Sequence, residues 1–153
     1  MTLSPLQAAI DELALDAGVQ AIVPLDATGV RRIRPVEPAG KLGTDLGDAR
    51  GAGAWIPFVV VSVLDPPWHA GTATSSVTLG LRCYAASFAV AEALYLACAA
   101  VFHRKGPRIA ASRLGIYSSV VQGGGTHDKD PDTRQPLVHG IVTLNVSTQA
   151  IPV

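Results

Sequence analysis

Residues 85–103, AASFAVAEALYLACAAVFH, form the longest helical pattern in the chain, and their reading decides the fold. At about 100° per residue, Val90, Leu94, Ala97 and Val101 make one apolar stripe. Phe88, Ala91, Tyr95, Cys98 and Phe102 make a second, roughly 120° away. The remaining sector holds Ala89, Glu92, Ala93, Leu96 and Ala100, mostly small side chains. A surface helix needs one apolar stripe. Two stripes with a small-residue back point either to the centre of a large core or to a helix packed on something outside its own domain. The run is short for a membrane span, has Glu92 near its middle and is flanked by strand patterns, so no membrane crossing is expected.

Working outward, residues 56–64 (IPFVVVSVL) read as a strand covered on both faces. Residues 76–84 alternate, with Val77, Leu79, Leu81 and Cys83 facing one way and Thr78, Gly80, Arg82 and Tyr84 the other. After the helix come Leu114–Gln122 and Leu137–Ser147, two more alternating strands separated by Gly123-Gly124-Gly125 and an acidic loop at 127–132. At the start of the chain, Ser4, Pro5 and Gln7 signal a capped helix with a capping box, and Gly18 signals its end. Short strands are expected at 19–23 and 30–36. The expected fold is α+β: a mostly antiparallel four- to five-stranded sheet with two main helices packed on one side. The chain, residues 1–153, reads as one domain with a flexible Gly/Pro-rich arm at about 37–54 that orders on a partner.

Composition narrows the function. Hydrophobic residues make up 48% of the chain and charged residues only 16%, little charge for a surface without neighbours. The formal net charge is zero, which excludes general nucleic-acid binding by the molecule as a whole. Cys83 and Cys98 both sit in apolar patterns and read as free buried thiols. The N-terminus MTLSPLQ lacks a basic region followed by an apolar one, so the chain reads as cytosolic in origin.

No nucleotide-binding glycine fingerprint, phosphate loop or nucleophile elbow is present. The four histidines lie far apart in sequence and give no local hint of a catalytic set, so no enzyme activity and no cofactor are expected. His127, Asp128, Asp130 and Asp132, with Arg134, form a loop that alternates like a calcium site. However, Thr133 stands where glycine is needed and His139 where a bidentate Glu belongs. A solvated hairpin turn and an assembly contact are the other readings of that loop. Arg31, Arg32 and Arg34 form a basic cluster that reads either as a charged strand edge or as a contact for nucleic acid or an acidic partner. The cations at 103–113 read as complements to a helix C-terminus.

The order of elements as a whole resembles the tail terminator (tail completion) proteins of long-tailed bacteriophages. The opening helix, the strand Val77–Tyr84 running into the Ala-rich helix Phe88–Phe102, and Asp130-Pro131-Asp132-Thr133 before Val138–Val146 carry the resemblance. It implies a structural virion subunit that forms a homo-oligomeric ring, a hexamer, at the tail-neck junction. The ring would stop polymerisation of the tail tube protein and meet the head-tail connector or a head-closure protein. In that setting Arg31, Arg32 and Arg34 would face DNA passing through the lumen or an acidic partner. Either the helix side with Ala89, Glu92, Ala93, Leu96 and Ala100 or the sheet edge would lie at the subunit interface, and the loop at 127–134 would serve assembly. The alternatives are another neck component, a small metal-binding enzyme built on the 127–132 loop, and a ligand-binding module.

Overall fold

A computed structural model describes residues 4–25, 29–35, 50–51, 54–55, 57–65, 74–111, 113–131 and 134–147. In chain order the elements are α1 (Pro5–Leu15), α2 (Ala17–Gln20), β1 (Ile33–Pro35), β2 (Arg50–Gly51), β3 (Ala54–Trp55), β4 (Phe58–Asp65), β5 (Thr74–Tyr84), α3 (Phe88–Phe102), β6 (Arg108–Ile109), β7 (Gly115–Lys129) and β8 (Pro136–Ser147). The main sheet has six strands in the order β1-β4-β5-β8-β7-β6, and β2 and β3 form a separate two-stranded ladder. This corrects the expected four- to five-stranded antiparallel sheet with two main helices. The fold is mostly β, a mixed sheet curled into a half-barrel with few helices. The strand of the main sheet beyond those expected is β6, of two residues, too short to show a hydrophobic period, while β1 falls inside the strand expected at 30–36. β1 lies parallel to β4, which makes the sheet mixed.

The hydrophobic pattern sets the register. Val77, Leu79 and Cys83 of β5 stand opposite Leu144, Val142 and Val138 of β8, so one face of both strands is continuously apolar. That face joins Val59 and Val61 of β4 and the buried residues of α3 (Ala91, Leu94, Tyr95, Cys98 and Phe102) in the main core. Ala8, Ala9 and Leu13 of α1 complete it. A smaller cluster, Phe58, Val60, Tyr84 and Leu137, is buried as well, with Phe58 and Tyr84 stacked at 4.4 Å between ring centroids.

Local corrections follow the same logic. Ser4 Oγ accepts from the Gln7 amide at 3.2 Å, but the Gln7 side chain donates to Asp11 at 2.8 Å instead of closing a capping box. Gly18 does not end α1. Asp16 does, and its carboxylate then accepts from the Val19 amide to start α2. Val19 is therefore helical, not the start of a strand. β7 runs through the three glycines to Lys129, so His127–Lys129 belong to a strand and the turn begins at Asp130. Most of the arm expected at 37–54 lies outside the described residues, as does Asp132. Its described residues, 50–51 and 54, pair in the β2–β3 ladder.

Candidate functional site

The residues singled out from sequence fall on two parts of the surface. The outward side of α3 exposes Ala89, Glu92, Ala93, Leu96 and Ala100, with Leu96 60% and Val90 40% exposed. Helix α3 is N-capped by Ser87, whose Oγ accepts from the Val90 amide at 3.3 Å. Its inward side needs only one stripe plus Leu94, so the remaining apolar residues are left facing out.

The 127–134 segment reaches this helix. His127 of β7 stands over the first turns of α3, with Nε2 3.7 Å from Glu92 Oε2 and its ring edge-on to Phe88 at 5.5 Å. Glu92 and His127 are thus brought together, although the sequence reading assigned them to different groups. Asp128 Oδ1 accepts from the Lys129 amide at 2.8 Å. The Asp130 amide donates to the Gln135 carbonyl at 3.0 Å, and the Arg134 amide, on a residue with φ 63°, donates to the Asp130 carbonyl at 2.8 Å. These bonds shape a tight β7–β8 turn. Among the described residues, no three His, Cys, Asp or Glu side chains gather as a metal set.

The glycines beneath this loop have a different role from a hinge. Tyr95 of α3 lies flat on the sheet, and a Cβ on Gly125 would come 2.8 Å from its ring. A Cβ on Gly140 would come 2.7 Å from the same ring and closer still to its hydroxyl. A Cβ at either position would force a neighbour to move: the Tyr95 side chain at both, and Val138 as well at Gly125. Gly123, with φ 73°, turns the backbone where the β7–β8 register slips between Gln122 and Thr126. Tyr95 is 3% exposed, and among the described residues its hydroxyl has no partner. Burial first, then Cys83 and Cys98 nearby, push its ionisation up. The two cysteines are free, fully buried and 4.0 Å apart, and burial and the Cys98 thiol raise Cys83. Tyr84 is raised mainly by burial and further by Asp130, with Arg82 opposing.

Arg31, Arg32 and Arg34 are half-buried at the β1 edge. Arg31 donates to the Val23 carbonyl at 2.9 Å and Arg34 to the Arg31 carbonyl at 3.3 Å, so part of their hydrogen bonding is spent on their own backbone. They lie at the end of the sheet away from β7 and the 127–134 segment.

Sequence reasoning missed Arg108. It had placed this residue among cations that complement a helix end. In the structure Arg108 grips Glu12 of α1 through Nε at 2.7 Å and Nη2 at 3.0 Å. Nη2 also donates to Ser119 Oγ at 2.9 Å, and Ser119 donates to the Phe102 carbonyl at 2.6 Å. One guanidinium therefore ties α1, the end of α3, β6 and β7. A separation of 96 residues leaves no sequence signal for this pair. Beside it, Pro107, Arg108, Ile109, Gly115, Ile116 and Tyr117 line a mostly apolar groove of about 350 Å³.

No family model matches the chain, and no curated protein does. Solved structures do match in fold. One of them, a chain of the virion of a native gene transfer agent particle, agrees with a TM-score of 0.55 over 94% of this chain and 95% of its own, at 16% identity. At that identity the likeness is one of fold. No described helix is long and apolar enough to cross a membrane.

Proposed function

We propose that this chain is a structural virion subunit that caps the head-proximal end of a phage-like tail tube as a ring. There it stops tube polymerisation and offers the surface for head joining. The observation that carries the reading is the near full-length agreement of fold with a gene transfer agent virion chain. It is joined by the order of elements that the sequence shares with tail terminators. Supporting it, the outward side of α3 exposes Leu96, Val90 and several alanines, a surface with apolar area to cover. The role is non-catalytic. The partners are other copies of the chain in a hexamer, the tail tube protein, and a head-tail connector or head-closure protein.

Arg31, Arg32 and Arg34 face DNA in the lumen or an acidic partner in this reading. Bonds to backbone carbonyls leave a guanidinium charged, so this use remains compatible with their tethering. Replacing all three with Ala is expected to impair head joining or tail-length control. Unchanged tails and full joining would remove that role.

Solution mass by light scattering across a concentration series, with negative-stain images, tests the ring. Isolated tail tubes mixed with the protein test its position: capped ends of fixed length support a terminator. A ring that leaves tubes untouched favours another neck component, such as a head-closure or adaptor protein. A monomer with and without tubes overturns the ring.

A further inference from the structure

Cys83 and Cys98 are the only cysteines of the chain, and the fold brings them together. Cys83 lies near the end of β5, with Val59 of β4 opposite it on one flank and Val138 of β8 on the other, so its backbone is held from both sides. Cys98 lies on the inward side of α3, one turn after Leu94 and one turn before Phe102. Both cysteines are 0% exposed, and their sulfurs stand 4.0 Å apart. A disulfide bond is about 2.0 Å long, so each sulfur has about 1 Å to travel, the reach of a small turn about its Cα–Cβ bond. Packing as small apolar groups accounts for each cysteine singly. It does not require that the two meet.

We propose that Cys83 and Cys98 are a redox modification site: they close to a disulfide that staples α3 to β5 where small-molecule disulfides prevail, and stay thiols in a reducing surrounding. The staple does not depend on the ring reading, although α3 is the helix whose outward side that reading uses. One thiol gives up its proton and attacks a small disulfide RSSR, forming a mixed disulfide and releasing RS⁻, which takes that proton. The second thiol, deprotonated in turn, attacks the protein sulfur of the mixed disulfide and expels the second RS⁻. The S–S bond of RSSR breaks, the Cys83–Cys98 bond forms, the protein loses two hydrogens and two RSH leave. In the closed fold neither sulfur touches solvent. Burial, then the Cys98 thiol, raise Cys83 well above its usual value, so thiolate is scarce there. Exchange therefore waits for α3 to lift from the sheet. The same shelter then keeps reductants from the finished bond, so the staple is slow to make and slow to break.

Oxidised glutathione is the probe. Wild-type protein is incubated with it in buffer and in urea below the unfolding midpoint, quenched in acid, and read by intact mass and peptide mapping. The expected product lacks two hydrogens, links the peptides around Cys83 and Cys98, and forms about ten-fold faster in the urea than in buffer. The bond spans 15 positions, and a loop of that size is expected to raise the thermal midpoint by about 5 °C over the reduced protein. Glutathione adducts that persist on either cysteine without the internal link, or a disulfide between two chains, overturn the site. So do thiols still free after refolding from full denaturant in the same redox buffer. A linked protein that melts no higher than the reduced one shows that the bond does not fit the native packing, which also overturns it. Equal rates in buffer and in urea overturn the gating by α3. Cys98→Ser should gain nothing in midpoint from the oxidant, and an equal rise in that variant would show that the shift does not come from the bond. Should that variant melt early, the wild-type midpoint before and after treatment with dithiothreitol in the same urea decides, the expected result being a return to the reduced value.

Discussion

Strand β7 is one continuous strand with two unlike halves. From Gly115 to Val121 its side chains Ile116, Ser119 and Val121 are buried, and its flank is held by β6, Lys105 and the Arg108 network. From Gln122 to Lys129 nearly every residue is exposed, and β8 is the only strand beside it among the described residues. The first half is fixed by long-range polar contacts that converge on one guanidinium. The second is fixed by a shape match, Tyr95 seated on Gly125 and Gly140. The lesson is that β8 pairs with both halves of the strand, with a register slip between Gln122 and Thr126, while what closes its other flank depends on a few side chains.

Filling the glycine floor should have the largest effect. In Gly140→Ala the new methyl meets the Tyr95 ring and hydroxyl, so the tyrosine must shift to admit it. A loss of about 3 kcal/mol is expected, at the upper end for overpacking. Chemical denaturation measures it, and the comparison sharpens if the cost falls by more than half in a Tyr95→Ala background. An unchanged cost in that background would show that the two halves of β7 are not held in the distinct ways described. Arg108→Ala comes next, at about 2 kcal/mol. The Arg108–Glu12 pair is mostly but not wholly buried, with side chains 23% and 14% exposed, so the figure lies below that of a fully buried pair. Hydrogen exchange on this variant should speed up at Gly115–Ser119 and leave 126–129 unchanged. Equal acceleration along the strand would break the distinction.

What the sequence made legible follows directly from periodicity. The helix Phe88–Phe102 and the alternation of Val77, Leu79, Leu81 and Cys83 were readable because each repeats its period over several turns or residues. β6 was not, because two residues hold no period, and although β1 falls inside the strand expected at 30–36, its parallel pairing with β4 is set by tertiary neighbours. The run of glycines at 123–125 reads as chain freedom in sequence, yet the requirement at Gly125 comes from a tyrosine on another element. Gly18 looked like a stop signal, but Asp16 was the better cap and the helix restarted after it. At the candidate site, exposure of Ala89, Glu92, Ala93, Leu96 and Ala100 was readable from the helical projection. The meeting of Glu92 with His127 was not, because it depends on how far β7 extends past its glycines.

The smallest effect tests how Tyr95 holds the second half of β7. Its ring fills the space over the glycines, while its hydroxyl is buried without a partner among the described residues. Tyr95→Phe keeps the ring and removes the unsatisfied group, so stability at neutral pH should rise by about 1 kcal/mol. The alkaline limb gives an independent reading. An unfolded tyrosine ionises near 10.0, and burial raises Tyr95 above that in the fold. Between those two values the unfolded chain has released a proton that the folded chain keeps, so stability falls as pH rises. The contribution is complete below about pH 10 and is lost as pH climbs through the folded value. Tyr84 is raised by burial in the same direction, so Tyr95→Phe should shallow the alkaline decline without abolishing it. A melting series from pH 8 to 11 on both proteins decides the matter. An identical decline in the two would mean that the Tyr95 hydroxyl is solvated in solution, and that this half of the strand is looser than the glycine contacts imply.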